Sequence, residues 1–123
     1  MTSSWDAHLD FVCKDAESAV LCSKDGTMWG AKHGACDSAS QTELKEASCN
    51  ARNKCATSFR GEKYLYITEV EGCAGYRSGP KSAAVYEAHG HCGIVFGKDG
   101  QRVPDCVAEA LKLKKYMESI GQI

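Results

Sequence analysis

The stretch ATSFRGEKYLYITEVEGCAGYRSGPKSAAVYEAHGHCGIVFGKDG, residues 56–100, decides the architecture. Inside it Tyr64-Leu65-Tyr66-Ile67-Thr68 alternates as a half-buried strand does, with successive side chains on opposite faces. Turn chemistry punctuates the rest. Ala56-Thr57-Ser58-Phe59 runs into a turn at Arg60-Gly61-Glu62, and Glu71-Gly72 leads into a strand over 73–77. Ser78-Gly79-Pro80 leads into another over 83–88, His89-Gly90 into a third over 92–96, and Lys98-Asp99-Gly100 ends the series. Such short connections leave no room for helical crossovers, so the pairing is an antiparallel meander of about five strands.

Upstream, Trp5, His8, Leu9 and Val12 recur at the spacing of one helix face, with Ser3 or Ser4 placed to cap and Asp6 in the first turn. This predicts a helix over about residues 4–14. Ala19-Val20-Leu21-Cys22 reads as a buried strand, Lys24-Asp25-Gly26 as a hairpin turn and Thr27-Met28-Trp29-Gly30-Ala31 as the returning strand. A small, polar loop is expected over 32–39. Ser40-Gln41-Thr42-Glu43 then fits a capping box, opening a polar helix of about ten residues whose thin apolar face is Leu44, Ala47 and Cys49. Downstream, Pro104 suits a first helical turn. Cys106, Ala110, Leu113, Met117 and Ile120 form one stripe, widened by Val107 and Leu111, and Gly121 is placed to end the helix. The chain therefore reads as one α+β domain over residues 1–123, without repeat or linker.

Composition narrows the function classes. A chain of 123 residues with 43% hydrophobic and 25% charged residues buries a core without metal or disulfide staples. A net charge of −1 lacks the Lys/Arg surplus with which sequence-independent nucleic-acid binders displace counterions, so no nucleic-acid partner is expected. No apolar run approaches the ~18 residues of a membrane span. The opening MTSSWDAHLD has no basic segment followed by an apolar one, so no secretory signal is expected, and the cytoplasm is the expected compartment. The eight cysteines, Cys13, Cys22, Cys36, Cys49, Cys55, Cys73, Cys92 and Cys106, are expected there as reduced thiols, most of them small core hydrophobes.

Catalytic motifs are missing. There is no Walker loop, no GxGxxG after a strand and no GxSxG elbow, and Gly97-Lys98-Asp99-Gly100 reads as a turn. His89-Gly90-His91-Cys92, with His33 or Cys36, is the best metal candidate, but no CxxC pair accompanies it and a metal site is not expected. A Cys–His nucleophile remains the other enzymatic alternative, with no pair singled out by its surroundings. The reading is a non-enzyme without cofactor.

Several segments resemble the profilin family. Ser4-Trp5-Asp6-Ala7-His8-Leu9-Asp10 is similar to its Ser-Trp-x-x-Tyr-Val-Asp opening, and Lys24-Asp25-Gly26-Thr27-Met28-Trp29 to its first hairpin with the second tryptophan. Thr42-Glu43-Leu44 resembles the start of its middle helix, and Gly61-Glu62-Lys63-Tyr64-Leu65-Tyr66-Ile67 its Gly-x-(Lys/Arg)-Tyr strand. Gly97-Lys98-Asp99-Gly100 and Cys106 through Tyr116 are like the last strand end and closing helix, so the likeness runs in order through nearly the whole chain.

The resemblance implies a profilin-like layout: a central antiparallel sheet, with the N- and C-terminal helices together on one face and the small helix on the other. It implies a monomeric cytoskeletal protein that binds monomeric actin, regulates its polymerisation, and docks proline-rich peptides and assembly factors. It places Trp5 and Trp29 side by side under the last helix, in a proline groove formed by Trp5, His8, Trp29, Leu113 and Tyr116. Such a groove takes a polyproline II segment with little ordering cost, while indole N–H groups donate to peptide carbonyls. His8 stands where the family has tyrosine; it keeps a flat ring and loses the phenol, which implies weaker, pH-dependent affinity. Actin contacts are implied at Arg77, Lys81, Tyr86, Lys98, Asp99, Gly100 and Glu109. The segment from Gly100 to Cys106 is shorter than in many profilins, with Val103 and Pro104 where vertebrate members present polar contacts. That motivates an alternative, a profilin-fold interaction protein with weak or lost actin binding. With 15 Lys+Arg against 16 Asp+Glu, no basic cluster supports phosphoinositide binding.

Overall fold

The computed structural model describes residues 4–32, 41–88 and 90–120, side chains from residue 7 onward. Chain order is α1 (Ser4–Val12), β1 (Ser18–Cys22), β2 (Met28–Lys32), α2 (Gln41–Arg52), β3 (Thr57–Phe59), β4 (Glu62–Val70), β5 (Cys73–Ser78), β6 (Lys81–Glu87), β7 (Cys92–Phe96) and α3 (Val103–Ser119). The elements follow the expected order. Local chemistry explains their ends. In the β1–β2 turn Asp25 accepts from Ser23 Oγ and the Thr27 N–H, which together hold its carboxyl down at about 2. Arg60-Gly61 and Glu71-Gly72 both have paired positive φ angles, the signature of two-residue hairpins. α2 closes with Cys55 N–H donating to Asn50 O and Lys54 N–H to Ala51 O around a left-handed Lys54, a Schellman motif.

Three helix details differ from expectation. The buried stripe of α2 is Leu44, Ala47, Ser48 and Ala51, and Cys49 is exposed, because the i, i+3, i+4, i+7 set starting at Leu44 skips position 49. On α3, Val103 and Glu109 join the buried stripe while Ile120, beyond the last turn, is 41% exposed. Lys32, expected to open the loop over 32–39, belongs to β2, while the rest of that loop, the expected cap at Ser40 and the stop at Gly121 lie outside the described residues.

All pairings are antiparallel, in the sheet order β2-β1-β7-β6-β5-β4-β3. β3 to β7 form the meander, and the N-terminal hairpin joins it through β1 against β7, with Ser18 opposite Phe96 and Cys22 opposite Cys92. Alternation divides the side chains into two cores. Leu21, Tyr86 and Val95 meet Leu9 of α1, Cys13 just after it, and Val107, Ala110, Leu113 and Met117 of α3. Val20, Val85, Ile94 and Phe96 meet Leu44 and Ala47 of α2, with Phe59, Tyr64 and Tyr76. The terminal helices thus share one face and α2 takes the other. Glu43, in the first turn of α2, accepts from the backbone N–H groups of Arg60 (2.9 Å) and Gly61 (3.0 Å), fastening that helix to the β3–β4 turn. α3 lies directly on β5, since a Cβ on Gly75 would stand 2.6 Å from Val103 Cγ1 and 2.9 Å from Val107 Cγ2.

α1 is tied down by a buried lysine. Lys32, 4% exposed, donates from Nζ to the carbonyls of Cys13 (2.6 Å) and Ala16 (2.9 Å), a positive charge where the helix dipole is negative. Lys32→Met should lower the free energy of unfolding by about 2–3 kcal/mol, read by urea denaturation, because two buried carbonyls lose charged donors.

The described cysteines are free. Cys13, Cys22, Cys73, Cys92 and Cys106 are buried and only Cys49 and Cys55 are exposed. Burial, helped by Glu109, pushes the Cys13 thiol up to about 12. Burial likewise raises Cys73 to about 11 and Cys106 to about 12. At pH 8 these three stay protonated, so iodoacetamide should label Cys49 and Cys55 in the folded protein and reach Cys13, Cys73 and Cys106 only after denaturant is added. Peptide mass mapping checks this; equal labelling of Cys13 in the native state would contradict the packing.

Candidate functional site

Two surfaces stand out among the described residues, near opposite ends of the sheet. The first lies where α1, α3 and β2 meet. His8 of α1 and Tyr116 of α3, both half-buried, are hydrogen-bonded through Nδ1 and the phenol oxygen, with ring centroids 5.4 Å apart. Trp29 of β2 is also half-buried and packs on the same core as Tyr116 and Val12. In the β1–β2 ladder Leu21 pairs with Gly30 and Cys22 with Met28, which leaves Trp29 as the extra residue of a β-bulge. Bulges re-aim a side chain. Here the indole is directed toward the side of the sheet that carries α1 and α3, and one face rests near-parallel on the ring of His91, with centroids 5.5 Å apart at 28°.

Of the five residues expected to line a groove there, His8 and Tyr116 are in contact and Trp29 packs on the same core as Tyr116. Leu113 is a correction. It is 0% exposed, since the helical period turns it inward between α3 and the sheet, and it supports the surface without lining it. Trp5 has its backbone in the first turn of α1, and the meeting of its ring with Trp29 lies outside the described side chains.

The second surface is on β4. Leu65, Ile67 and Val70 are 55%, 51% and 43% exposed. Leu65 is opposite Arg77 and Val70 opposite Cys73, which places the strip on the α3 side of the sheet. Ile67 is again a bulged residue, between Tyr66 opposite Tyr76 and Thr68 opposite Gly75. α3 packs on β5, β6 and β7 and stops short of this strand, so the strip stays open. It borders a cleft of about 440 Å³ lined by Ile67, Arg77, Pro80, Gly100, Arg102, Val103 and Pro104. Sequence reasoning missed this strip. Its signal is a strand in which both alternating sets, Tyr64/Tyr66 and Leu65/Ile67, are large and apolar while only one set can be covered.

The seven residues expected on an actin face are scattered. Arg77, exposed, and Gly100 line the cleft beside Ile67. Lys81 and Asp99 line a separate cleft of about 380 Å³ with Glu17, Arg60, Tyr64 and Phe96, and Lys81 is paired with Glu62 at 3.0 Å. Lys98 is exposed in the loop before α3, which Gly100 N–H ties to Pro80 O. Tyr86 and Glu109 are corrections. Tyr86 is 0% exposed, because its strand position faces α1 and α3. Glu109 is 7% exposed and held by Lys112 at 2.7 Å. Neither offers a contact surface.

Of the enzymatic candidates, His91 and Cys92 take structural places. His91 is buried with Nε2 2.8 Å from the Tyr86 hydroxyl, while Cys92 belongs to the α2-side core, so these neighbours point to opposite faces. His89, His33 and Cys36 lie outside the described residues. Among the described residues no group of three His, Cys, Asp or Glu is placed to hold a metal ion. The Cys22 thiol and burial push the Cys92 thiol up, the reverse of what a nucleophile needs.

The sequence matches no protein-family model and no curated protein. Solved structures do match. Profilin IA of Acanthamoeba castellanii is 13% identical with a TM-score of 0.80, over 96% of this chain and 99% of that one. Mouse profilin IIa, in complex with a double repeat from the FH1 domain of mDia1, is 18% identical with a TM-score of 0.70, over 97% and 99%. LokiProfilin2, in complex with rabbit actin, is 14% identical with a TM-score of 0.74, over 95% and 97%. Matching sheet, helices and chain length together, the chain has the profilin fold.

Proposed function

We propose that this chain binds monomeric actin and proline-rich segments, each on its own surface, and so regulates actin polymerisation in the cytoplasm without chemistry of its own. The observation that carries the reading is a pair of apolar surfaces on one sheet, one half-buried and one exposed. One is aromatic with polar handles, at β2, α1 and α3; the other is aliphatic and edged by Arg77, at β4. β1, β7, β6 and β5 lie between β2 and β4, so two partners can be held at once. Two structural neighbours support the choice of partners: mouse profilin IIa is in complex with a double repeat from the FH1 domain of mDia1, and LokiProfilin2 with rabbit actin.

Flat aromatic rings with N–H and O–H groups at their edges suit a polyproline II ligand, whose exposed carbonyls need donors and whose rings need flat apolar contact. The β4 strip suits a broad protein partner: three exposed aliphatic residues give apolar area, and Arg77 gives orientation. On this reading the actin contact centres on Leu65, Ile67, Val70 and Arg77.

One observation favours the alternative of a profilin-fold protein with weak or lost actin binding. Tyr86 and Glu109 are buried, and Lys81 and Asp99 line a different cleft from Arg77 and Gly100. Two measurements decide. In pyrene-actin assembly, excess wild-type protein should slow spontaneous nucleation, and Ile67→Asp should weaken the effect at least ~10-fold by placing a charge in the apolar contact. No slowing by the wild type selects the alternative. In a titration with a proline decamer, wild type should saturate and Trp29→Ala should bind at least ~10-fold more weakly, as loss of an aromatic anchor requires.

A further inference from the structure

Tyr86 and His91, which neither proposed surface uses, are buried between the sheet and the terminal helices, in contact with each other. The geometry points to a role for them: His91, held by Tyr86, is a positioning residue that sets the tilt of the Trp29 indole for a proline-rich ligand. This inference rests on the reading of that aromatic surface as the proline groove.

The chain of contacts starts at a glycine. Gly93 is directly opposite Tyr86 in the β6–β7 ladder, and a Cβ there would stand 2.0 Å from Cε2 of the Tyr86 ring and 2.7 Å from its Cζ. The phenol ring therefore lies down across β7 in space that any other residue would fill. Lying there, it brings its hydroxyl within 2.8 Å of His91 Nε2 and meets the imidazole edge-on, with centroids 5.5 Å apart at 83°. His91, 0% exposed, is thereby held on one edge, and its flat face is stacked on Trp29.

The indole needs such support. Trp29 is the extra residue of a bulge, where the ladder register alone does not set side-chain direction as it does along a regular strand. It is half-buried, so packing surrounds it on part of its surface only. A ligand that stacks a proline ring on the indole and accepts from its N–H needs both the ring plane and the N–H direction defined in advance. Presenting them ready-made lowers the ordering cost of binding. Among the described residues, the imidazole is a flat ring stacked on the indole and anchored at a known atom.

The test compares variants by calorimetric titration with a proline decamer, by 19F NMR of protein carrying 5-fluorotryptophan, and by thermal melting. Trp29→Phe assigns the Trp29 resonance. His91→Leu keeps apolar volume but loses the flat, anchored ring. It should shift the Trp29 resonance and weaken decamer binding ~10-fold, while His91→Phe, which restores a flat ring, should recover binding to within ~3-fold of wild type. Tyr86→Phe removes one oxygen and should shift the same resonance and weaken binding ~3-fold. Trp29→Ala separates the two ideas. If Trp29→Ala binds the decamer as wild type does, the groove reading itself fails. If Trp29→Ala loses binding while folded His91→Leu keeps wild-type affinity and an unshifted resonance, the positioning role is overturned. Should His91→Leu not fold, Tyr86→Phe decides alone, and an unmoved resonance with unchanged affinity overturns the inference.

Discussion

The ladder between β1 and β7 is the constraint on which the molecule depends. It joins residues 18–22 to residues 92–96, and every side chain in both strands is buried. This pairing attaches the N-terminal hairpin to the meander, and with it α1, whose Leu9 and Val12 pack on that face of the sheet in one core with α3. Closing so long a loop is slow and entropically costly, and it is repaid only when both faces of the joined strands are covered. Glu17 N–H extends the ladder by one bond to Phe96 O, and Lys32 locks the end of α1 onto the far strand of the hairpin. The aromatic surface at α1, α3 and β2 exists because this one ladder brings distant segments side by side.

The division into two cores follows from the same strands. Because β1, β6 and β7 are covered on both sides, alternate residues feed different helices, and a single backbone carries the α1/α3 packing and the α2 packing. The thiols are divided likewise, Cys13, Cys73 and Cys106 on one side and Cys22 and Cys92 on the other, each acting as a small hydrophobe.

Much of this was legible in the residues. The Asp-Gly, Arg-Gly and Glu-Gly turns, the alternation through 64–68 and the stripe from Cys106 to Met117 are local signals, and local physics sets the elements they mark. Sheet order was not legible in that way. Nothing in Ala19-Val20-Leu21-Cys22 says that its partner is Cys92–Phe96, and only the likeness to a known family implied the layout. Site residues were harder still. Tyr86 reads as one more strand position until Gly93 is seen to make room for its ring, and Leu113 reads as an equal member of a helical face until the depth of the sheet beneath it is known. Leu65 and Ile67 carried the opposite difficulty: two apolar sets on β4 signal that one stays open, but which one depends on where α3 stops.

The two bulges, at Trp29 and at Ile67, share a property that regular strand positions lack. Side chains alternate along a strand, so gain or loss of one residue in a regular ladder reverses the facing of everything beyond it. At a bulge one residue is already in excess, and its deletion restores an even ladder and withdraws the side chain that the irregularity had presented. Each surface is thus seated where a single-codon insertion or deletion, and not only a substitution, can create or erase it. With four strands between the two surfaces, a change of length at one bulge leaves the other in place.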